Sequence, residues 1–347
     1  MKNETPKPGY SDATLIPTEP PSLPSPSALR KIFIGQDGLR AGWSLLIFIA
    51  LLAAIGYGVN VIGYKLYPSA PKTGKAMAEA MGTPRFMLVG EFIQFLVVLL
   101  VTWIMSKIEH RPNSVYGFGD RRMLPHFLAG LAWGVACLSL LVLTLWKTGL
   151  LAIDGRLLFG SNILRYGATW LLCFLLVGLF EEYATRGYLQ YTLTRGLAGF
   201  YRWAFKTRHS TALGFWTSAL ILSFLFGFGH GKNPGESPIG LLSAGLIALV
   251  FCLTLWRTGS LWWAIGFHAS WDWAQNFLYG TADSGLMIQH RLLDTHAVGK
   301  PLLSGGTTGP EGSIFILAIL VLITVIVVLT LPRTHYGQAS KAFEITN

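Results

Sequence analysis

The 347-residue chain is 52% hydrophobic and 13% charged, with a mean hydropathy of +0.49, whereas an ordinary soluble domain carries about 25% charged residues. That balance excludes a water-soluble fold. The net charge of +10 is not a nucleic-acid footprint, because Lys and Arg are confined to short segments between apolar runs. The expected fold class is all-α: a polytopic transmembrane helical bundle of about eight spanning helices.

Residues 1–28 hold Pro6, Pro8, Pro17, Pro20, Pro21, Pro24 and Pro26 among polar residues, a composition too poor in apolar surface to order itself, and read as a disordered cytoplasmic tail. Residues 29–41 mix Leu29, Ile32, Phe33, Ile34 and Leu39 with Arg30, Lys31 and Arg40. They suit a basic segment at an anionic membrane surface, or simply the basic flank of the first span. Residues 42–332 form the transmembrane domain and 333–347 a short cytoplasmic tail. The expected spans are Trp43–Ile62, Phe86–Met105, Phe127–Trp146, Gly167–Thr185, Thr211–Gly229, Ser237–Trp256, Ser260–Tyr279 and Ser313–Leu331. Basic residues are denser in both tails and in the even-numbered loops than opposite, which puts both termini in the cytoplasm of a cell (inner) membrane. Cys137, Cys173 and Cys252 lie in apolar runs without CxxC spacing, so they are read as packing residues. The Gly-rich loop from Gly280 to Gly312 is long for a connector and is expected to fold over one face of the bundle.

Titratable side chains inside such a bundle are expensive, on the order of 2.5–3.5 kcal/mol each, and call for a reason. Glu181 and Glu182 directly follow an apolar run. Glu182 and Arg186 are i and i+4 neighbours and can pair, while Glu181 points about 100° away and is left free for chemistry. Both acids could equally mark a helix end. His230 precedes the breaker run Gly231-Lys232-Asn233-Pro234-Gly235, as a capping or a functional residue. His268 and Asp272 share a helix face at i and i+4, so that the carboxylate can orient the imidazole, both can meet one ligand, or the pair satisfies itself. Glu91, with Gln94 nearby, is read as an interhelical hydrogen-bonding residue.

The ordered series Glu181-Glu182-x-x-x-Arg186, Phe226-x-x-x-His230 and His268-x-x-x-Asp272 resembles the motifs of the CPBP family of intramembrane proteases. That family includes type II CAAX prenyl endopeptidases and bacteriocin-processing relatives. Asp37 to Trp43 and Ser304 to Gly312 look like flanking features of bacterial members. The resemblance implies an endopeptidase acting on a membrane-associated or lipidated protein or peptide, with Glu181, Glu182, Arg186, His230, His268 and Asp272 as the site. In that scheme Glu181 activates water and His230 helps to position it, His268 donates to the oxyanion, and Arg186 holds Glu182 ionised. The resemblance leaves two routes open. In one, Glu181, His230 and His268 bind Zn2+; in the other, a carboxylate and a histidine activate water without metal. Eukaryotic relatives typically carry Asn at the position of Asp272, and ionised Asp cannot donate to an oxyanion as Asn can. A proton-coupled transporter, or an inert immunity or interaction protein on the same scaffold, are the competing classes. One shared reaction requires the helices bearing Glu181, His230 and His268 to be mutual neighbours around a common water.

Overall fold

The computed structural model describes residues 32–35, 38–333 and 336. The Pro-rich tail expected over 1–28 and nearly all of the tail expected over 333–347 lie outside the described residues, as do residues 29–31, 36 and 37 of the basic segment. The described part of that segment contains a two-stranded antiparallel pair, β1 (Ile34–Gly35) and β2 (Gly38–Leu39). It is tied to the first span by the Trp43 indole, which donates to the Ile32 carbonyl.

The molecule is mostly helical. Six helical runs are long and apolar enough to cross a membrane. They contain α1 (Ala41–Leu66), α3 (Pro84–Glu109), α4 (Met123–Lys147), α5 (Ser161–Glu182) with its continuation α6 (Gln190–Phe205), α7 (Ser210–Gly229) and α8 (Pro238–Thr258). A short helix, α2 (Gly74–Met81), precedes α3. The remaining two expected spans are helical but shorter: α9 (Trp262–Trp273), extended by a π-helical turn over Ala274–Leu278, and α10 (Ile316–Thr330). All eight expected apolar runs are thus helices, six of them of full spanning length.

One element departs from the sequence expectation. The span placed at Gly167–Thr185 does not end there: it passes through a π-helical segment, Tyr183–Leu189, into α6, making one helical run from Ser161 to Phe205. Glu181, Glu182 and Arg186 look like a helix end to hydropathy. Here Glu182 and Arg186 neutralise each other within the helix, which runs on because Thr192, Thr194 and Ala198 of α6 are buried in the α6–α7 hairpin.

Helix α1 fully buries only Ser44 and Phe48, packs Ile47, Leu51, Leu52 and Ile55 against the core, and exposes its other face, as an edge helix in lipid does. The interior is denser. Helices α4 and α9 form the closest pair in the bundle, with their backbones brought together at glycines. A Cβ on Gly130 would lie 2.1 Å from the Trp263 carbonyl oxygen, and one on Gly134 would lie 2.5 Å from that of Phe267. Small residues four apart are the usual device for such approach inside membranes. Gly130 and Gly134 thereby press α9, which carries His268 and Asp272, into the bundle.

At one end of the bundle, β3 (Leu151–Arg156) pairs antiparallel with β4 (Leu293–Ala297), with a bulge between Ile153 and Gly155. The pair is joined by an exposed contact of His296 Nδ1 with Asp154 Oδ2 at 2.7 Å. The Gly280 to Gly312 loop folds over this end as expected. Its Thr307 and Thr308 hydroxyls donate to the Gly235 carbonyl, and the Trp170 indole donates to the Gln289 carbonyl at 3.0 Å.

Candidate active site

Glu182 is fully buried and its Oε1 takes two donors: Arg186 Nη1 at 3.0 Å and His268 Nδ1 at 3.0 Å. The Arg186 guanidinium also donates to Thr185 Oγ1 at 2.9 Å and lies 4.3 Å from the Phe226 ring centroid and 5.7 Å from that of Phe251. A buried cation held between aromatic faces and bonded to a carboxylate is a fixed electrostatic unit. It lies behind the site wall and leaves the wall itself to Glu181.

Glu181 projects the other way, as the one-residue rotation requires, and lines a cavity of about 500 Å³ together with His230, His268 and Asp272. The His268 Nε2 faces that cavity, 3.7 Å from Glu181 Oε2 and 3.5 Å from Asp272 Oδ2. With Nδ1 bonded to Glu182, the imidazole is oriented from behind, and Nε2 lies between two carboxylates. Asp272, 8% exposed, thus contacts the nitrogen opposite the one that Glu182 holds.

His230 follows the last residue of α7. Its Nδ1 donates to the Phe226 carbonyl at 2.8 Å, which turns Nε2 into an acceptor. Phe226 therefore serves both halves of the site, with its ring against Arg186 and its carbonyl on His230. The helical run that carries Glu181 packs on both of the others, on α9 through α5 and on α7 through α6. Helices α5 and α9 pack directly, whereas α7 packs on α6 and α8 and reaches the site across the cavity. The reason is the continuation of α5 into α6, which pairs α7 with the far half of that run.

Both conspicuous titratable segments end in wide helical turns. The π-helical segment Tyr183–Leu189 starts directly after Glu182, and the one over Ala274–Leu278 starts two residues after Asp272. Such turns shift side-chain direction within a helix and occur at functional sites far more than elsewhere.

Some cavity residues escaped sequence reasoning. Glu91 is not an interhelical hydrogen-bonding residue: it accepts from Gln94 Nε2 at 3.0 Å within α3 and faces the cavity. Asn276, Asp283 and Glu311 also line it, the last two carried in by the Gly-rich loop. A single acid in a glycine-rich stretch was the available signal for Glu311, but only the folded loop aims it. Burial, with Asp272 and Glu311 nearby, pushes the Asp283 carboxyl well above the ordinary aspartate value.

The residues considered as a zinc set, Glu181, His230 and His268, line one cavity but do not form a ligand cluster. Among the described residues, no three His, Cys, Asp or Glu side chains are arranged to hold a metal ion. One nitrogen of each histidine is already taken, by Glu182 and by the Phe226 carbonyl.

A helical bundle with apolar spans, enclosing carboxylates and histidines around an internal cavity, defines a polytopic membrane protein with a polar site inside it. Residues 164–274, which include all six site residues from Glu181 to Asp272, match the family model for the type II CAAX prenyl endopeptidase Rce1-like proteins. Over that segment the chain is similar to the Rce1-like CAAX-type proteases, in line with the motif order. No curated protein and no solved structure matches the chain. Glu91, Asp283 and Glu311 lie outside the matched segment.

Proposed function

We propose that this chain is an intramembrane endopeptidase that hydrolyses a peptide bond of a membrane-associated or lipidated protein, using water activated by Glu181. The observation that carries the reading is the placement of Glu181 and His268 on one cavity wall, 3.7 Å apart, with His268 pinned from behind by Glu182. A scissile carbonyl in the cavity would present its carbon to a water held by Glu181 and by the acceptor nitrogen of His230. Glu181 takes the water proton as the C–O bond forms and returns it to the leaving amine as the C–N bond breaks. His268 Nε2–H donates to the developing oxyanion, a role that requires an orientation fixed in advance. Glu182, with Arg186, supplies that fixing, and Asp272 supports the protonated imidazole from the cavity side.

The charge asymmetry between loops supports a cell-membrane location with both termini in the cytoplasm. Comparative membrane proteomics of the wild type and a Glu181→Gln strain tests the activity. Membrane proteins or peptides that accumulate uncleaved in the variant are the expected result, and indistinguishable proteomes together with no cleavage by purified protein would sink the reading.

A further inference from the structure

The cavity wall is unusually one-sided in charge. Glu91, Glu181, Asp272, Asp283 and Glu311 line it, and no Lys or Arg among the described residues does. Arg186, the cation beside the site, is committed to Glu182 and Thr185 and shielded by Phe226. The two histidines are partly spent on internal acceptors. At the loop end Glu311 Oε1 accepts from the Ser284 amide and hydroxyl, and Asn276 Nδ2 donates to Asp283 Oδ2 at 3.0 Å.

Asn276 points the same way independently. It is 2% exposed, lines the same cavity, and its Oδ1 is buried with no hydrogen-bond partner. One of its N–H groups goes to Asp283, and its buried Oδ1 is an open acceptor beside the Asp283 and Glu311 carboxyls. A buried acceptor left unmatched costs about 1–3 kcal/mol, and a donor-rich cation satisfies Asn276 Oδ1 while pairing with the two carboxyls beside it. The neighbouring wall, with Leu286, Met287 and Ile288, is apolar and suits the aliphatic stem of a long basic side chain.

We infer that the cavity accepts a substrate segment bearing a lysine or arginine side chain, which docks against Asp283, Glu311 and Asn276 beside the reacting bond. The inference deepens the endopeptidase reading and rests on it for the reacting bond, whereas the docking of the cation stands without it. By the same electrostatics, a peptide whose free carboxylate terminus had to enter this end of the cavity meets like charge. The proton that burial and the neighbouring carboxyls hold on Asp283 is the group a cation displaces.

The test uses the full chain in lipid nanodiscs and N-acylated, C-amidated fluorescent peptides of neutral sequence. Lysine, norleucine or glutamate is placed at each position in turn. Binding is read by anisotropy and cleavage by mass spectrometry. At one position the lysine peptide should bind about tenfold or more tighter than its norleucine counterpart, with glutamate weakest. Asp283→Asn and Glu311→Gln should bring the lysine-to-norleucine ratio toward one. A wild-type ratio near one at every position overturns the inference, as does a ratio that both folded variants leave unchanged; if neither variant folds, the wild-type ratio decides alone. Selective binding of lysine without cleavage upholds this inference and, together with indistinguishable proteomes of the wild type and the Glu181→Gln strain, overturns the endopeptidase reading.

Discussion

Glu182 and His268, 86 positions apart in the chain, meet at 3.0 Å between Oε1 and Nδ1, and this contact makes Glu182 the positioning residue of the site. It never faces the cavity, so it acts through the imidazole it holds. Glu182→Gln keeps the shape and weakens the acceptor: kcat should fall while KM changes little, because substrate does not touch residue 182. A change confined to KM would contradict the assignment. Glu182→Ala goes further and leaves Arg186 buried without its carboxylate, at a cost of about 3–5 kcal/mol. Thermal unfolding in detergent should show that loss, and adding Arg186→Leu should recover part of it.

Glu181, by contrast, is on the cavity wall, away from the Glu182–Arg186 pair. Glu181→Gln should lower peptide hydrolysis by about 100-fold or more with the folded yield in membranes unchanged. His230→Ala and His268→Ala should give losses of similar order, His268→Ala with some loss of thermal stability because it frees Glu182 of a donor. Retention of cleavage in the Glu181 variant would remove its role as base.

The α4–α9 contact allows no side chain at Gly130, where a Cβ would sit 2.1 Å from the Trp263 carbonyl oxygen. Gly130→Ala should therefore destabilise by about 1–3 kcal/mol and displace His268, visible as a lower unfolding temperature together with lower activity. Gly90, where an added Cβ would meet nothing within 4 Å, is the control: Gly90→Ala should be neutral or mildly stabilising.

The raised Asp283 carboxyl has a pH signature. Its ordinary value is 3.8 and burial beside Asp272 and Glu311 raises it in the folded protein. The folded state therefore binds more protons than the unfolded one between those two values. This contribution to stability is fully present below pH 3.8 and is lost as pH rises through the folded value. The unfolding temperature of the wild type, relative to Asp283→Asn, should fall with rising pH over that window. A pH-independent difference would show that Asp283 is not held protonated.

The side of the membrane on which the loops lie is checked by labelling single introduced cysteines in a variant lacking Cys137, Cys173 and Cys252. Helices α7, α8 and α9 separate Thr207 from His296, and the proposed topology counts each as one crossing. A cysteine at 207 should react only from the cytoplasm and one at 296 only from outside. Labelling of both from one side would refute the alternation of spans and the proposed placement of both termini.

What was legible in the sequence is what local spacing encodes. The eight apolar runs mark eight helices, six of them of spanning length, and i, i+4 geometry pairs Glu182 with Arg186 and sets His268 beside Asp272. One residue of helical rotation separates the duties of Glu181 and Glu182. Tertiary structure decided the rest. Hydropathy ends a span at Thr185, because it cannot see that Glu182 and Arg186 cancel each other's charge and let the run continue to Phe205. Local spacing offers Asp272 to orient His268, because the two are adjacent on one helix, whereas the shorter bond comes from Glu182 across the α5–α9 interface. It also leaves Asp283 and Glu311 in a loop, since only the packing of that loop over the bundle end brings their carboxyls to the cavity. Helix formation follows from nearest neighbours along the chain, but the partner of a buried charge is chosen by which helices the glycine contacts allow to touch.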